Sequence, residues 1–313
     1  MEKIAVIGAG AIGRAWAIVF ARAGRPVALF SRSARTLSTA VELISASVDS
    51  LREFGLLEES PDAVKARITT LTQLEDALDG ASYVQENIPE LLEEKKALFA
   101  RLDELVGPDV ILASSTSTIP VSLFAAGVKG RHRCVVAHPV NPPYLVPAVE
   151  ISPAPFTARD TVARTRELLS AVGQVPIVMK KEIQGFVMNR LQSLLACEAV
   201  RLVEGGYASP EDVDRAVRDG LGLRWSFMGP LETLDLNAPG GFKQFAQVFA
   251  PIMHAIDASP EAAPRRWSEE AIQEIDAERR RRVPLPEQVA RVLWRDRRLM
   301  ALIAHKRAME SKP

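Results

Sequence analysis

The chain contains four histidines, His132, His138, His254 and His305. Only His138 stands where it could act as a base. It closes the apolar, strand-like run Val135-Val136-Ala137, and open α/β sheets place their ligands at the carboxyl ends of strands. Glu150 follows twelve residues on, flanked by Val149 and Ile151 in a second strand-like run. A carboxylate among apolar neighbours is costly unless paired. Pairing it with the imidazole offsets that cost, fixes the ring tautomer and stabilises the imidazolium. Such a pair can take a proton from a hydroxyl group while hydride leaves the same carbon. The competing reading of Glu150 is a structural ion pair with an arginine.

A hydride needs an acceptor, and the start of the chain offers a place for one. Residues Lys3–Gly13 read KIAVIGAGAIG, a short apolar strand, a glycine turn and a helix start. Gly8 allows the tight turn, Gly10 lets backbone approach a pyrophosphate, and Gly13 lets helix and strand pack closely. The helix start adds free N–H groups and a partial positive charge. A dinucleotide site follows, with Gly8, Gly10, Ala11, Ile12 and Gly13 around the phosphates. Past the second strand, NAD readers usually carry Asp or Glu for the ribose 2′-hydroxyl. This chain has Ser31-Arg32-Ser33-Ala34-Arg35 instead. Guanidinium groups pair with a 2′-phosphate, so NADP is expected beside NAD, with Ser31 and Arg32 as the reading residues. The alternative is a solvated loop with NAD bound through its other parts.

These residues need a scaffold that gathers strand ends at one edge. Strand-like runs recur at Lys3–Ile7, Val27–Phe30, Ser82–Gln85, Val110–Ala113, Cys134–His138 and Ala148–Ile151. Helix-like segments fall between them at Ile12–Arg22, Thr36–Phe54, Pro61–Ile68 and Leu91–Leu105. This alternation predicts an α/β fold with a Rossmann-type doubly wound sheet. Thr161–Leu169 followed by Gln174–Val178 extends it beyond Glu150. From Gly185 the strand pattern ends, and Gly185–Glu204 reads as one long helix. The expected division is a dinucleotide-binding domain over residues 1–184 and an all-helical C-terminal substrate and dimerisation domain over 185–313.

The 313 residues carry 39 basic and 39 acidic side chains, which cancel. No global field then favours nucleic acid or an anionic membrane, and no apolar run is long enough to span a bilayer. The first strand begins within three residues of the start, so no signal peptide is expected. Cys134 and Cys197 read as free thiols in a reducing compartment, which makes the expected location cytoplasmic. No side-chain cluster has metal-ligand spacing.

GAGAIG at 8–13, Ser-Ser-Thr-Ser-Thr at 114–118, His138-Pro-Val-Asn-Pro-Pro, Val149-Glu150 and Gly185-Phe-Val-Met-Asn-Arg190 together resemble the 3-hydroxyacyl-CoA dehydrogenase superfamily. In that family a serine, a histidine, a glutamate and an asparagine surround the substrate oxygen. The matching positions here are Ser117, His138, Glu150 and Asn189. The resemblance implies His138 as general base and Glu150 as its orienting partner. It implies Ser117 and Asn189 as hydrogen-bonding groups at the reacting oxygen. Glu90 and Lys95, in Pro-Glu-x4-Lys, match positions the family uses near cofactor and substrate. Longer stretches, among them His138–Tyr144, Lys181–Gln192 and Asp219–Arg224, are similar to the branch of L-gulonate 3-dehydrogenases and lambda-crystallins. That branch carries an aspartate where this chain has Ser31, and Gln244–Glu270 diverges from it. A homodimer formed through the helical domain is also implied.

A free 3-hydroxy acid needs a cation for its carboxylate, whereas a CoA thioester has no such need there. Arg224, in Gly-Leu-Arg-Trp-Ser-Phe, is the candidate, with a domain-interface salt bridge as its competing role. Tyr144 and Trp225 are candidates for the pocket wall or for core. The expected reaction oxidises C3 of a small L-3-hydroxy acid, L-gulonate-like, to a 3-keto acid. The alternative is an L-3-hydroxyacyl-CoA dehydrogenase. A third reading is a crystallin-like structural protein that binds dinucleotide without turnover. The complete set Ser117, His138, Glu150 and Asn189 argues against it.

Overall fold

Alternate residues of the first strand enter two different cores. The computed structural model describes residues 2–259 and 267–310. In β1 (Lys3–Ile7), Ile4 and Val6 join one apolar cluster, and Ala5 and Ile7 join the other. A strand buried on both faces requires layers above and below it. β2 (Val27–Phe30), β3 (Ile68–Leu71), β4 (Ala81–Glu86) and β5 (Ile111–Ser114) lie in the same sheet. β6 (Cys134–Pro139), β7 (Ala148–Ser152) and β8 (Val175–Val178) complete it, in the order β3-β2-β1-β4-β5-β6-β7-β8. Every neighbouring pair is parallel except β6 and β7. The strand order reverses its progress between β1 and β4, so ligands are expected outside the carboxyl ends of those strands.

The layers come from α1 (Ala11–Arg22), α2 (Ala34–Glu53), α3 (Pro61–Lys65), α4 (Leu74–Leu78), α5 (Leu92–Leu105), α6 (Val121–Ala125) and α7 (Arg159–Ala171). Trp16 and Phe20 of α1 stack with ring centroids 5.3 Å apart inside one cluster. Phe99 of α5 and Phe124 of α6 meet at 4.6 Å inside the other. None of the described helices is long and apolar enough to cross a membrane.

The chain divides into two compact units, Met1–Arg190 with Leu293–Pro313, and Leu191–Val292. Helix α8 (Met188–Glu204) leads into the second unit, which holds α9 (Pro210–Arg215), α10 (Gly222–Trp225), α11 (Pro230–Leu236), α12 (Gly241–Asp257) and α13 (Glu269–Arg282). Its Ser209 caps α9 by accepting the Asp212 amide, and Ser268 caps α13 likewise. The last helix, α14 (Gln288–Glu310), returns residues from Leu293 onward to the first unit.

The return of α14 is a tertiary contact, and two helix expectations need correction. Met300 is 2% exposed within a core cluster of the first unit. Arg297 also pairs there with Glu53 at 2.6 Å and lies over the Phe54 ring. The segment Pro61–Ile68 is not one helix: α3 stops at Lys65, and Ile68-Thr69-Thr70-Leu71 pairs with β2 as an edge strand. The helix expected from Gly185 begins only at Met188. Gly185 and Phe186 take φ of 76° and 51°, in the left-handed region, which no right-handed helix includes.

Candidate active site

The antiparallel pairing of β6 with β7 sets His138 directly opposite Glu150. His138 Nδ1 lies 2.8 Å from Glu150 Oε2. The other carboxylate oxygen, Oε1, accepts the backbone amides of Val187 at 2.7 Å and Met188 at 2.8 Å. The left-handed turn at Gly185-Phe186 aims those amides, and Glu150 thereby holds the start of α8. The two amides on Oε1 leave Oε2 of this fully buried side chain to pair with the imidazole. In the tautomer in which Nδ1 donates to Oε2, Nε2 keeps its lone pair. No other described side chain occupies Nε2. The ring is 6% exposed and packs against Phe186 at 5.4 Å, so its orientation is fixed.

Ser117 follows the carboxyl end of β5, in a loop built around one carboxylate. Glu90 Oε1 accepts Thr116 Oγ1 at 2.5 Å, the Ser117 amide at 2.9 Å and the Thr118 amide at 3.0 Å. Burial raises the Glu90 carboxyl, but these donors and the Lys95 charge outweigh it and hold it below the usual range. The Ser117 carbonyl in turn accepts Asn189 Nδ2 at 2.8 Å. Ser117 and Asn189 are therefore neighbours, while His138 and Glu150 form a second pair. α8 links the two pairs, because Glu150 holds the Met188 amide and Asn189 is the next residue.

Lys95 is buried beside Glu90 of the same motif. Its ammonium is 1% exposed and lies 2.9 Å from Glu86 Oε1, 3.0 Å from Glu86 Oε2 and 3.6 Å from Glu90 Oε2. Glu86, fully buried at the end of β4, also accepts Ser114 Oγ at 2.6 Å and the Ile88 amide at 2.6 Å. Sequence reasoning missed Glu86 altogether. The signal was there, since a carboxylate ending an apolar strand needs a counter-ion, and Lys95 lies nine residues on. The three groups form a chain from the buried strand end to the Ser117 loop.

The glycine turn follows β1 at the point where the strand order reverses. Gly8 has φ of 99°, and a Cβ there would sit 2.7 Å from the Asn87 carbonyl oxygen. A Cβ on Gly13 would overlap the Gly8 carbonyl. The protein's own packing thus explains both glycines. Gly10 is different: a Cβ there would meet nothing within 4 Å, so open space lies in front of it. Gly10 precedes α1, whose first turn holds no acidic residue and receives no side-chain cap. Exposed amides, open space and a positive helix end fit a diphosphate.

At the end of β2, the Ser31 hydroxyl accepts the Ser33 amide at 3.3 Å, and Ser33 caps α2 through the Thr36 amide. Arg32 and Arg35 are exposed and make no ion pair among the described residues. Arg224 lies on α10 of the second unit, also exposed. Tyr144 belongs to the first unit, half-buried against a core cluster, and Arg22 donates to its carbonyl at 2.7 Å. Cys134 is buried, which pushes its thiol up to about 12 and leaves it inert.

Comparison with known proteins agrees with this layout. The 3-hydroxyacyl-CoA dehydrogenase NAD binding domain matches residues 3–183, and the C-terminal domain of the same family matches residues 185–282. Lambda-crystallin of Oryctolagus cuniculus is 38% identical, over 98% of this chain and 97% of its own. L-Carnitine dehydrogenase of Streptomyces coelicolor is 36% identical, over 89% of this chain and 84% of its own. A solved structure of an NAD-dependent 5-formyl-3-hydroxy-2-methylpyridine 4-carboxylic acid 5-dehydrogenase has a TM-score of 0.75 at 28% identity, covering 100% of both chains. Both family domains in order and a relative aligned over nearly the whole length place this chain in the 3-hydroxyacyl-CoA dehydrogenase family.

Proposed function

We propose that this protein oxidises the C3 hydroxyl of a small L-3-hydroxy acid, L-gulonate or a close analogue, to the 3-keto acid. The observation that carries the reading is the buried His138–Glu150 pair at 2.8 Å with Nε2 left free. Bound NAD or NADP supplies the hydride acceptor. His138 Nε2 takes the hydroxyl proton, and Glu150 stabilises the resulting imidazolium through Nδ1. Ser117 Oγ and the Asn189 amide orient the substrate oxygen. Gly8, Gly10, Ala11, Ile12 and Gly13 hold the diphosphate, Ser31 and Arg32 face the adenosine ribose, and Glu90 lies toward the nicotinamide end. Lys95 contributes from behind, as the ion that positions Glu90.

Arg224 is the proposed partner of the substrate carboxylate. L-Carnitine, which one relative is named for, is itself a free 3-hydroxy acid, and this favours the free acid over a thioester. The family's own description favours an acyl-CoA, which keeps that substrate as the second reading. We place the enzyme in the cytoplasm as a homodimer. The exposed Leu191, Leu194 and Leu195 on α8 support association through the helical unit.

The test compares initial rates with L-gulonate and with L-3-hydroxybutyryl-CoA at saturating NAD. A preference for L-gulonate, together with a KM for it raised about 100-fold in Arg224→Met, supports the reading. A preference for the thioester, or an unchanged KM in that variant, overturns it.

A further inference from the structure

Arg14 sits four residues past Gly10, inside the first turns of α1 and therefore at the positive end of the helix dipole. That is an unfavourable place for a cation. Arg22, at the opposite end of the same helix, has the favourable position and donates to a carbonyl. The hydrogen bond on Arg14 is long, Nη1 to the Ala9 carbonyl at 3.4 Å, which folds its guanidinium back along the glycine turn, and the Tyr144 phenol is its electrostatic neighbour. Among the described residues no carboxylate pairs with it, and the first turn of α1 holds no acid. Partial burial adds a further cost and draws the guanidinium below its ordinary value. A helix dipole, desolvation and a missing counter-ion all disfavour this side chain in the protein alone. An anion at the turn reverses the sign of the first and third.

We infer that Arg14 is a cofactor-binding residue whose guanidinium supplements the backbone amides in neutralising the diphosphate of the dinucleotide. The open space at Gly10 and the fold of the side chain toward Ala9 put the charge on the glycine turn of the NAD-binding domain, the place where such turns take a diphosphate. Substrate chemistry does not enter this inference.

The test uses Arg14→Met and Arg14→Lys in the full chain, with binding of NADH, ADP and adenosine measured without substrate. Arg14→Met is expected to weaken NADH and ADP about tenfold and to leave adenosine unchanged. Its NADH affinity should also lose salt sensitivity relative to wild type, and Arg14→Lys should recover part of the loss. The Tm of the cofactor-free Met variant should be equal to or above that of wild type, because a disfavoured cation has been removed. A merely structural arginine would lower that Tm and weaken adenosine and ADP alike. Either that outcome, or an NADH affinity within about twofold of wild type, overturns the inference. So does unchanged NADH binding with a raised KM for the acid. Because no substrate is present in the binding assay, failure of the hydroxy-acid reading leaves the result interpretable.

Discussion

Replacing Glu150 by glutamine isolates what the carboxylate does for the imidazole. Glutamine has nearly the same shape, and its carbonyl oxygen can still accept the Val187 and Met188 amides that Glu150 Oε1 accepts now. An amide N–H then faces Nδ1. The imidazole must respond as an acceptor there, which moves its proton to Nε2 and removes the base. Rotation of the ring is no escape, since His138 is 6% exposed and packed against Phe186. The charge is lost as well. A carboxylate and an imidazolium centred about 4 Å apart attract by about 4 kcal/mol at an effective dielectric of about 20. That alone corresponds to about 10³ in rate, and the wrong tautomer brings the expected fall in kcat to about 10³–10⁴. NADH affinity should be unchanged, because neither group belongs to the glycine turn. Steady-state rates give kcat, and quenching of protein fluorescence gives the NADH affinity. A variant with intact NADH binding and kcat within about tenfold of wild type would refute the base assignment.

Ser31→Asp should lower NADP affinity about 100-fold and leave NAD equal or tighter, since a carboxylate repels a 2′-phosphate and accepts the ribose hydroxyl. An unchanged ratio of the two dissociation constants would show that β2 does not read the ribose. Glu86→Gln should cost about 3–5 kcal/mol in urea denaturation, because it leaves the Lys95 ammonium buried with only Glu90 at 3.6 Å. The double variant Glu86→Gln, Lys95→Met should recover part of that loss; equal or additive losses would mean the ion pair is not what holds the strand end. Asp103 accepts the Gly130 amide and pairs with buried Arg133, and these outweigh burial to hold its carboxyl below the usual range. A depressed value in the folded state means a contribution complete above the unfolded value of about 4 and lost as pH falls below it. Asp103→Asn should therefore cost about 2 kcal/mol at neutral pH, with the gap to wild type closing in acid; a pH-independent gap would contradict this.

The parts of the fold that were legible are those where local pattern and tertiary role coincide. The run KIAVIGAGAIG is a strand, a turn and a helix for local reasons, and packing only sharpens them through Gly8 and Gly13. β3 was hidden because an edge strand is half-exposed and needs little apolar patterning. Its identity comes from pairing with Val27–Phe30, some forty residues earlier. The same holds for the return of α14: nothing local in Trp294–Met300 says that Met300 will enter the core beside α1 and α2. Such contacts are decided by the whole chain.

The candidate site divides in the same way. His138 and Glu150 could be paired from sequence because two short strands joined by a proline-rich turn have few ways to meet, and a buried carboxylate demands a partner. What the carboxylate does with its second oxygen could not be read. That depends on Gly185 and Phe186 entering the left-handed region, which replaces the first turn of an expected helix with two amides aimed at Glu150. Glu150 thus orients His138 and holds the start of the helix that carries Asn189. Glu90 plays the parallel part for Ser117, and Lys95 with Glu86 fixes Glu90 from the interior. His138 and Ser117 are each held by a carboxylate whose remaining valences are filled by backbone amides or a buried cation. The chemistry of the site is therefore rigid before any ligand arrives, and the disfavoured Arg14 stands out against that pattern because its own counter-charge is the group still to come.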